Sequence, residues 1–362
     1  GGGGGGRGGG APDGGGDPAG GLAGAFGLDS IGVSTGTPNA DGTPGAAADP
    51  TAADGEGAHP AGRPAPTGAS PAHLGDEPAR TDAGTPWLPP GRAVDLPGVG
   101  TTFVRDSGGP PGAPTVLLLH GWAVTADLNW FPAYPSLTER YRVVALDHRG
   151  HGRGVRPKGG IVRLTDCADD AVAVLDDLGI DRAVVAGYSM GGAIAQLVWH
   201  RHPDRVAGLV LASTARHFQG GPISDLWYRS YTPLAHLAHR VDGPADALVR
   251  WRVDRRVRDA EHAAWMRSEL ERVSPAGLLS SMRSVGRFRS TRWIGSVDVP
   301  TSVIVTTRDR TVPARRQRGL AEAIDGAASF EVEGPHDSIV SRASTYVPVL
   351  ADAVAHATGN GR

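Results

Sequence analysis

Ala183-Val184-Val185-Ala186-Gly187-Tyr188-Ser189-Met190-Gly191-Gly192 is the stretch on which the reading of this chain turns. It opens as an apolar run with the character of a strand. The residues after it, Ala193-Ile194-Ala195-Gln196-Leu197-Val198-Trp199, have helical character. Between them lies G-x-S-x-G, and strand, sharp turn and helix are the context that gives this motif meaning. Gly187 and Gly191 permit a tight turn free of Cβ clashes. Such a turn lifts a serine hydroxyl clear of a sheet, and the following helix aims its N-terminal N–H groups at the same spot. Ser189 is therefore a candidate nucleophile. A chance G-x-S-x-G in a loop is the competing reading, and only the rest of the chain can decide against it.

Outward from this stretch, strand and helix patterns alternate. Residues 101–104 read as a short strand, and Thr115–Leu119 and Arg142–Leu146 as continuous apolar runs of buried parallel strands. Residues 165–178 have the helical spacing of Ala168, Ala171, Val172, Leu175 and Leu178, with Gly179 as the stop. Strands are expected at 206–211, Thr301–Thr306 and 329–332. Helices are expected at 313–324 and at 341–356, where Pro348 marks a kink site. Repeated β-α-β units imply an α/β fold, with a mostly parallel central sheet and helices on both faces. From about 215 to 293 the alternation stops. That helical stretch, with Trp227, Trp251, Trp265, Met266 and Met282, reads as a cap over the carboxyl edge of the sheet. The cap tryptophans either line a pocket or pack the cap.

Composition divides the chain. Residues 1–85 are more than half Gly, Ala and Pro, contain one aromatic residue, Phe26, and show no sustained apolar period. Such a segment cannot bury enough surface to offset its ordering entropy, so it is expected to be a disordered tail. Residues 86–362 are ordinary in composition and long enough for one large α/β domain with an insertion. The formal charge of −2 argues against general polyanion binding, and no nucleic-acid partner is expected. The basic residues are almost all Arg, with Lys158 the only lysine. Cys167 is the only cysteine, so no intrachain disulfide forms, and it is expected to pack in a helix. No apolar run is long enough to span a membrane. No charged segment followed by an apolar one opens the given sequence, and a cytoplasmic location is the default expectation.

A serine hydroxyl needs a base to take its proton and a third group to orient that base. The chain offers Thr306-Thr307-Arg308-Asp309-Arg310-Thr311-Val312-Pro313 after one predicted strand and Gly334-Pro335-His336 after the last. Both sit at strand carboxyl ends, on the edge where Ser189 emerges. Asp309 would fix the tautomer of His336, and His336 would serve as general base and then general acid. An acid near the strand ending at Leu211 is the alternative to Asp309, whereas Asp337 adjoins His336 too closely to reach its ring. For the oxyanion, one donor would be the Met190 backbone N–H. The second would come from His120-Gly121-Trp122, with the Trp122 backbone N–H as candidate.

LLLHGW (117–122), ALDHRGHGRG (145–154), GYSMGG (187–192), TTRDRTVP (306–313) and GPH (334–336) resemble, in order and interval, the landmark motifs of the α/β-hydrolase fold superfamily. The similarity covers roughly residues 95–360. It implies a Ser189–Asp309–His336 triad and a lidded pocket. Serine as nucleophile separates the chain from the branches that use Asp there. Pro335 departs from the glycine many relatives carry before the histidine, and it stiffens that loop.

Other residues invite sharper readings that the sequence does not favour. His120, His148 and His151 sit in turns at strand ends with no Cys or carboxylate cluster, and no metal and no cofactor is expected. His236 and His239 read as surface or packing residues of the cap. Gly150-His151-Gly152-Arg153-Gly154 lacks the Lys-Ser/Thr of a phosphate loop. In the arginine-rich run 250–258 and just beyond it, Asp254, Asp259 and Glu261 interleave, as on a solvated cap helix. The expectation is a serine hydrolase for a small-molecule ester, thioester or lactone with an apolar acyl group. A cofactor-free haloperoxidase or perhydrolase, an acyltransferase and a carbon–carbon bond hydrolase would use the same triad, and a non-catalytic binding protein would keep the fold alone.

Overall fold

In a computed structural model, residues 76, 77, 79, 84–156, 160–219 and 262–359 are described. Eight strands form one sheet: β1 (Gly91–Leu96), β2 (Gly100–Asp106), β3 (Thr115–Leu119), β4 (Arg142–Leu146), β5 (Ala183–Tyr188), β6 (Val206–Ala212), β7 (Thr301–Thr306) and β8 (Ala328–Val332). Their order is β1-β2-β4-β3-β5-β6-β7-β8. β1 and β2 pair antiparallel, as do β2 and β4, and every later pairing is parallel. Strands β3 to β7 are apolar on both faces because helices cover both.

The alternation of side chains splits the core into two halves. Leu117, Leu119, Val185, Leu209 and Val303 face α3 (Leu164–Asp177), α4 (Met190–Arg201) and α7 (Ala314–Ala321). Val116, Leu118, Val184, Val210 and Ile304 face α1 (Ala126–Trp130), α2 (Tyr134–Thr138) and α9 (Ala343–Ala357), while the short α8 (Ser338–Ser341) precedes α9. Cys167 is buried in the first of these halves, where burial pushes its thiol pKa up. Pro348 lies inside α9 without ending it.

The expected strands and long helices occur, with ends displaced by a few residues. Four elements were not expected: β1, α1, α2 and the four-residue α8. β1 has only Ala93, Val94 and Leu96 as apolar residues, and Pro and Gly flank it, so its local signal is that of a turn. Pairing with β2, from Gly91 opposite Arg105 to Leu96 opposite Gly100, makes it a strand. α1 and α2 are five residues each, too short to show a period.

The tail expected to be disordered lies almost wholly outside the described residues. Glu77, within it, nevertheless docks on the sheet edge by exchanging two backbone hydrogen bonds with Gly91. Its carboxylate meets Arg105 at 2.9 Å and Arg153 at 3.2 Å. Both guanidiniums also bind the buried Asp127, at 2.7 Å each. The described part of the expected cap consists of α5 (Ala263–Glu271) and α6 (Pro275–Arg287), the latter started by Ser274 as N-cap. Trp227, Trp251, His236, His239 and the arginine-rich run 250–258 lie outside the described residues. Among the described residues no helix is long and apolar enough to cross a membrane.

Candidate active site

Ser189 sits between β5 and α4 with φ 54° and ψ −112°. A side-chain-bearing residue at positive φ costs about 1–3 kcal/mol and persists only where the surroundings over-determine it. Here they do. The Ser189 N–H donates to Ala212 O at 2.8 Å, and the Thr214 hydroxyl donates to Ser189 O at 2.8 Å. The glycines are required by close approach: a Cβ on Gly187 would stand 2.2 Å from Gly191 O, and one on Gly191 2.0 Å from Leu119 O.

His336 follows β8, and Asp309 follows β7. The His336 ring lies with Nε2 2.9 Å from Ser189 Oγ and Nδ1 2.6 Å from Asp309 Oδ2. A carboxylate only accepts, so Nδ1 carries the ring proton toward Asp309 and Nε2 is left to accept from the serine hydroxyl. Pro335 leaves this geometry intact, and Asp309, not Asp337, meets the ring.

Asp309 is itself fully engaged. Its Oδ1 accepts from the Thr311 and Val312 backbone N–H groups, each at 2.8 Å. Its Oδ2 accepts from the Thr306 hydroxyl at 2.9 Å and from Gln317 Nε2 at 3.0 Å. Gln317 is fully buried on α7, and its Oε1 accepts from the Thr306 N–H at 3.0 Å. On the other flank, the Tyr188 phenol donates to the His336 backbone carbonyl. Neither Tyr188 nor Gln317 stands out in the sequence, since one reads as a strand residue and the other as a helix residue.

The loop after β3 borders the serine: a Cβ on Gly121 would lie 3.6 Å from Ser189 Cβ. The Gly121 N–H donates to Asn129 Oδ1 at 3.0 Å. Met190 opens α4 and is buried. Trp122 is half-buried, and its indole N–H donates to Leu278 O on α6 at 2.9 Å. α6 is thus tied to the loop that carries one of the two expected oxyanion donors. A second tie joins α5 to the start of α1, where the Thr125 hydroxyl donates to Glu269 at 2.7 Å. Trp265 is buried edge-on against Phe131, with ring centroids 5.2 Å apart.

Behind this loop His120, His148 and His151 are buried together. The His120 ring centroid is 4.3 Å from that of His148 and 5.3 Å from that of His151. Burial pushes the His120 pKa down to about 4 and the His151 pKa down to about 3, and it lowers that of His148 as well, with His120 and His151 adding to the effect.

The profile of the alpha/beta hydrolase fold family matches residues 114–340. A Mycobacterium phage D29 protein provisionally named a non-heme haloperoxidase is 33% identical over 245 residues, covering 62% of this chain and 81% of the phage protein. A provisionally named carbamate hydrolase of Caulobacter vibrioides is 40% identical over 106 residues, 29% of this chain and only 39% of that relative's length. Among solved structures, the enol-lactonase from Burkholderia xenovorans LB400 is 28% identical with a TM-score of 0.61, covering 72% of this chain and 99% of the lactonase.

Proposed function

The chain belongs to the alpha/beta hydrolase fold family, and we propose that it is a serine hydrolase that opens a carboxylic ester, thioester or lactone through an acyl-enzyme. The observation that carries this is the relay from Asp309 through His336 to Ser189, at 2.6 and 2.9 Å. Ser189 Oγ attacks the carbonyl carbon as its proton passes to His336 Nε2. The carbonyl electron pair moves onto oxygen, which the Met190 and Trp122 backbone N–H groups receive. Collapse expels the alkoxide or thiolate, which takes the proton from His336. Water then repeats the sequence with the acyl group as target and restores Ser189.

Asp309 accepts from His336 Nδ1–H throughout and stabilises the imidazolium that forms. The Thr306 hydroxyl and Gln317 Nε2 on its Oδ2 and the Thr311 and Val312 N–H groups on its Oδ1 suit it to stay in place during that cycle. A small-molecule acyl substrate fits this chemistry. The likeness to the phage protein supports a second reading, in which hydrogen peroxide replaces water as acyl acceptor and a peroxyacid leaves.

Labelling with a fluorophosphonate, followed by a chain-length series of nitrophenyl esters and lactones, tests the proposal. Native protein should label and Ser189→Ala should not. Absence of label on the native protein, or equal label on the variant, overturns it. Hydrolysis rates measured with and without peroxide separate the two acceptors.

A further inference from the structure

We propose that His120 is a positioning residue for the oxyanion donor: its Nδ1–H holds the Gly121–Trp122 peptide and so sets the aim of the Trp122 backbone N–H. The inference rests on the serine-hydrolase reading and extends it to a residue that touches no substrate.

The tautomer of His120 follows from its partners. The His148 backbone N–H points at His120 Nε2 from 2.9 Å. A backbone N–H can only donate, so Nε2 must be the lone-pair nitrogen, and the proton of a neutral ring is on Nδ1. Nδ1 lies 2.7 Å from the Gly121 carbonyl oxygen and donates to it. The ring is neutral at ordinary pH, because full burial pushes its pKa down to about 4. An imidazolium would set a second N–H against that of His148.

The consequence for Trp122 is geometric. The peptide between Gly121 and Trp122 is planar and trans, so its C=O and N–H point in opposite directions. Holding the Gly121 oxygen against the buried His120 ring therefore points the Trp122 N–H, within the same plane, away from that ring. The plane before it is held as well, since the Gly121 N–H is committed to Asn129 Oδ1. Beyond it Ala123 has φ 65°, a bend that a side-chain-bearing residue adopts only under constraint. His148 in turn is not free to move. Its ring lies against that of His120, and its carbonyl accepts from the His151 N–H at 2.9 Å. The turn after β4 thus sets the tautomer of His120, and His120 sets the peptide that faces the serine. Electrostatic stabilisation of this kind works only when the donor is already aimed at the future oxyanion.

Phe in place of His120 keeps a ring and removes the donor, whereas Asn keeps an N–H close to the place of Nδ1. With p-nitrophenyl butyrate, His120→Phe should lose about 10²-fold in kcat, with KM within about threefold. A trifluoromethyl ketone of the same acyl length adds Ser189 Oγ to its carbonyl carbon, passes the serine proton to His336 and leaves the charge on oxygen. Its inhibition constant should rise by the same factor. His120→Asn should recover about tenfold or more over His120→Phe. Nitrogen-15 spectra of the unmutated protein, with the His120 signals assigned against His120→Asn to separate them from His151, should show His120 protonated on Nδ1 alone and not titrating from about pH 5 to 9, which tests the tautomer even if His120→Phe fails to fold. An Nε2–H tautomer for His120, an unchanged inhibition constant in His120→Phe, or an Asn variant no better than Phe would overturn the inference. A native protein that takes no fluorophosphonate on Ser189 would instead overturn the hydrolase reading on which it rests.

Discussion

The Tyr188 phenol donates to the backbone carbonyl of His336, so the residue before the candidate nucleophile holds the main chain of the candidate base. The tyrosine ring is buried between Trp130, Tyr346 and the His336 ring, at centroid distances of 6.2, 5.9 and 5.9 Å. Tyr188→Phe keeps that packing and deletes one hydrogen bond. It should lower kcat about five- to tenfold at little changed KM and cost about 1 kcal/mol of stability. Steady-state kinetics beside urea denaturation checks both, and an unchanged kcat would leave Tyr188 as packing alone.

Gln317 supports Asp309 from below. Gln317→Leu strands the buried Thr306 N–H and removes one donor from Asp309 Oδ2, which should cost about 1–3 kcal/mol. Asp309→Asn acts on the chemistry more than on the fold, because an amide can turn its NH₂ to His336 Nδ1 and reverse the tautomer. A fall in kcat of about 10³–10⁴ is expected there, against a much smaller fall for Gln317→Leu. Equal losses in the two variants would place the effect of Asp309 in packing.

Glu269 ties α5 to the start of α1 in a way that depends on pH. Its carboxyl is 3% exposed and its pKa is raised from 4.5 to about 7, chiefly by burial and then by Asp127, with Asp147 adding and Arg153 and Arg272 opposing. A folded-state pKa above the unfolded one means the folded protein binds the extra proton. The resulting stability is fully present below about pH 4.5 and is lost as the pH rises through about 7, in total about 3 kcal/mol. Gln keeps an acceptor for the Thr125 hydroxyl and does not titrate. The stability difference between the native protein and Glu269→Gln should therefore shift in favour of the variant between about pH 5 and 8, as read by thermal unfolding. A difference independent of pH would show that Glu269 does not titrate in that window.

Glu77 stabilises two guanidiniums that are almost fully buried, with side-chain exposures of 2% for Arg105 and 8% for Arg153. In Glu77→Ala, Asp127 still faces both, and Asp147, 3.6 Å from Arg153, supports only that one. A loss of about 1–2 kcal/mol is expected, less for Glu77→Gln, which can still accept from one of them. Chemical denaturation of the two variants checks this. Equal stability to the native protein would make the strap a passive surface contact.

Much of this architecture was legible in local pattern. The strands from Thr115–Leu119 onward show as apolar runs, and α3 as a spaced apolar face, because period and chain stops are properties of neighbouring residues. The elbow around Ser189 was legible for the same reason: strand end, glycines and helix start lie within a few residues. β1 was not, because its strand state comes from pairing with β2 and not from its own composition.

What the sequence by itself determined, then, was most of the strands and the long helices, and which chemical groups stand at strand ends. What only the tertiary structure decided was which of those groups meet. Asp309 and His336 are 27 residues apart and Ser189 and His336 are 147 apart, yet hydrogen bonds join them. The same holds for His120 and His148, 28 apart, and for Tyr188 and His336, 148 apart. The physical reason is the sheet. Parallel register places the ends of β3, β5, β7 and β8 along one edge, and hydrogen bonds of about 3 Å then select partners with an accuracy that no local period encodes.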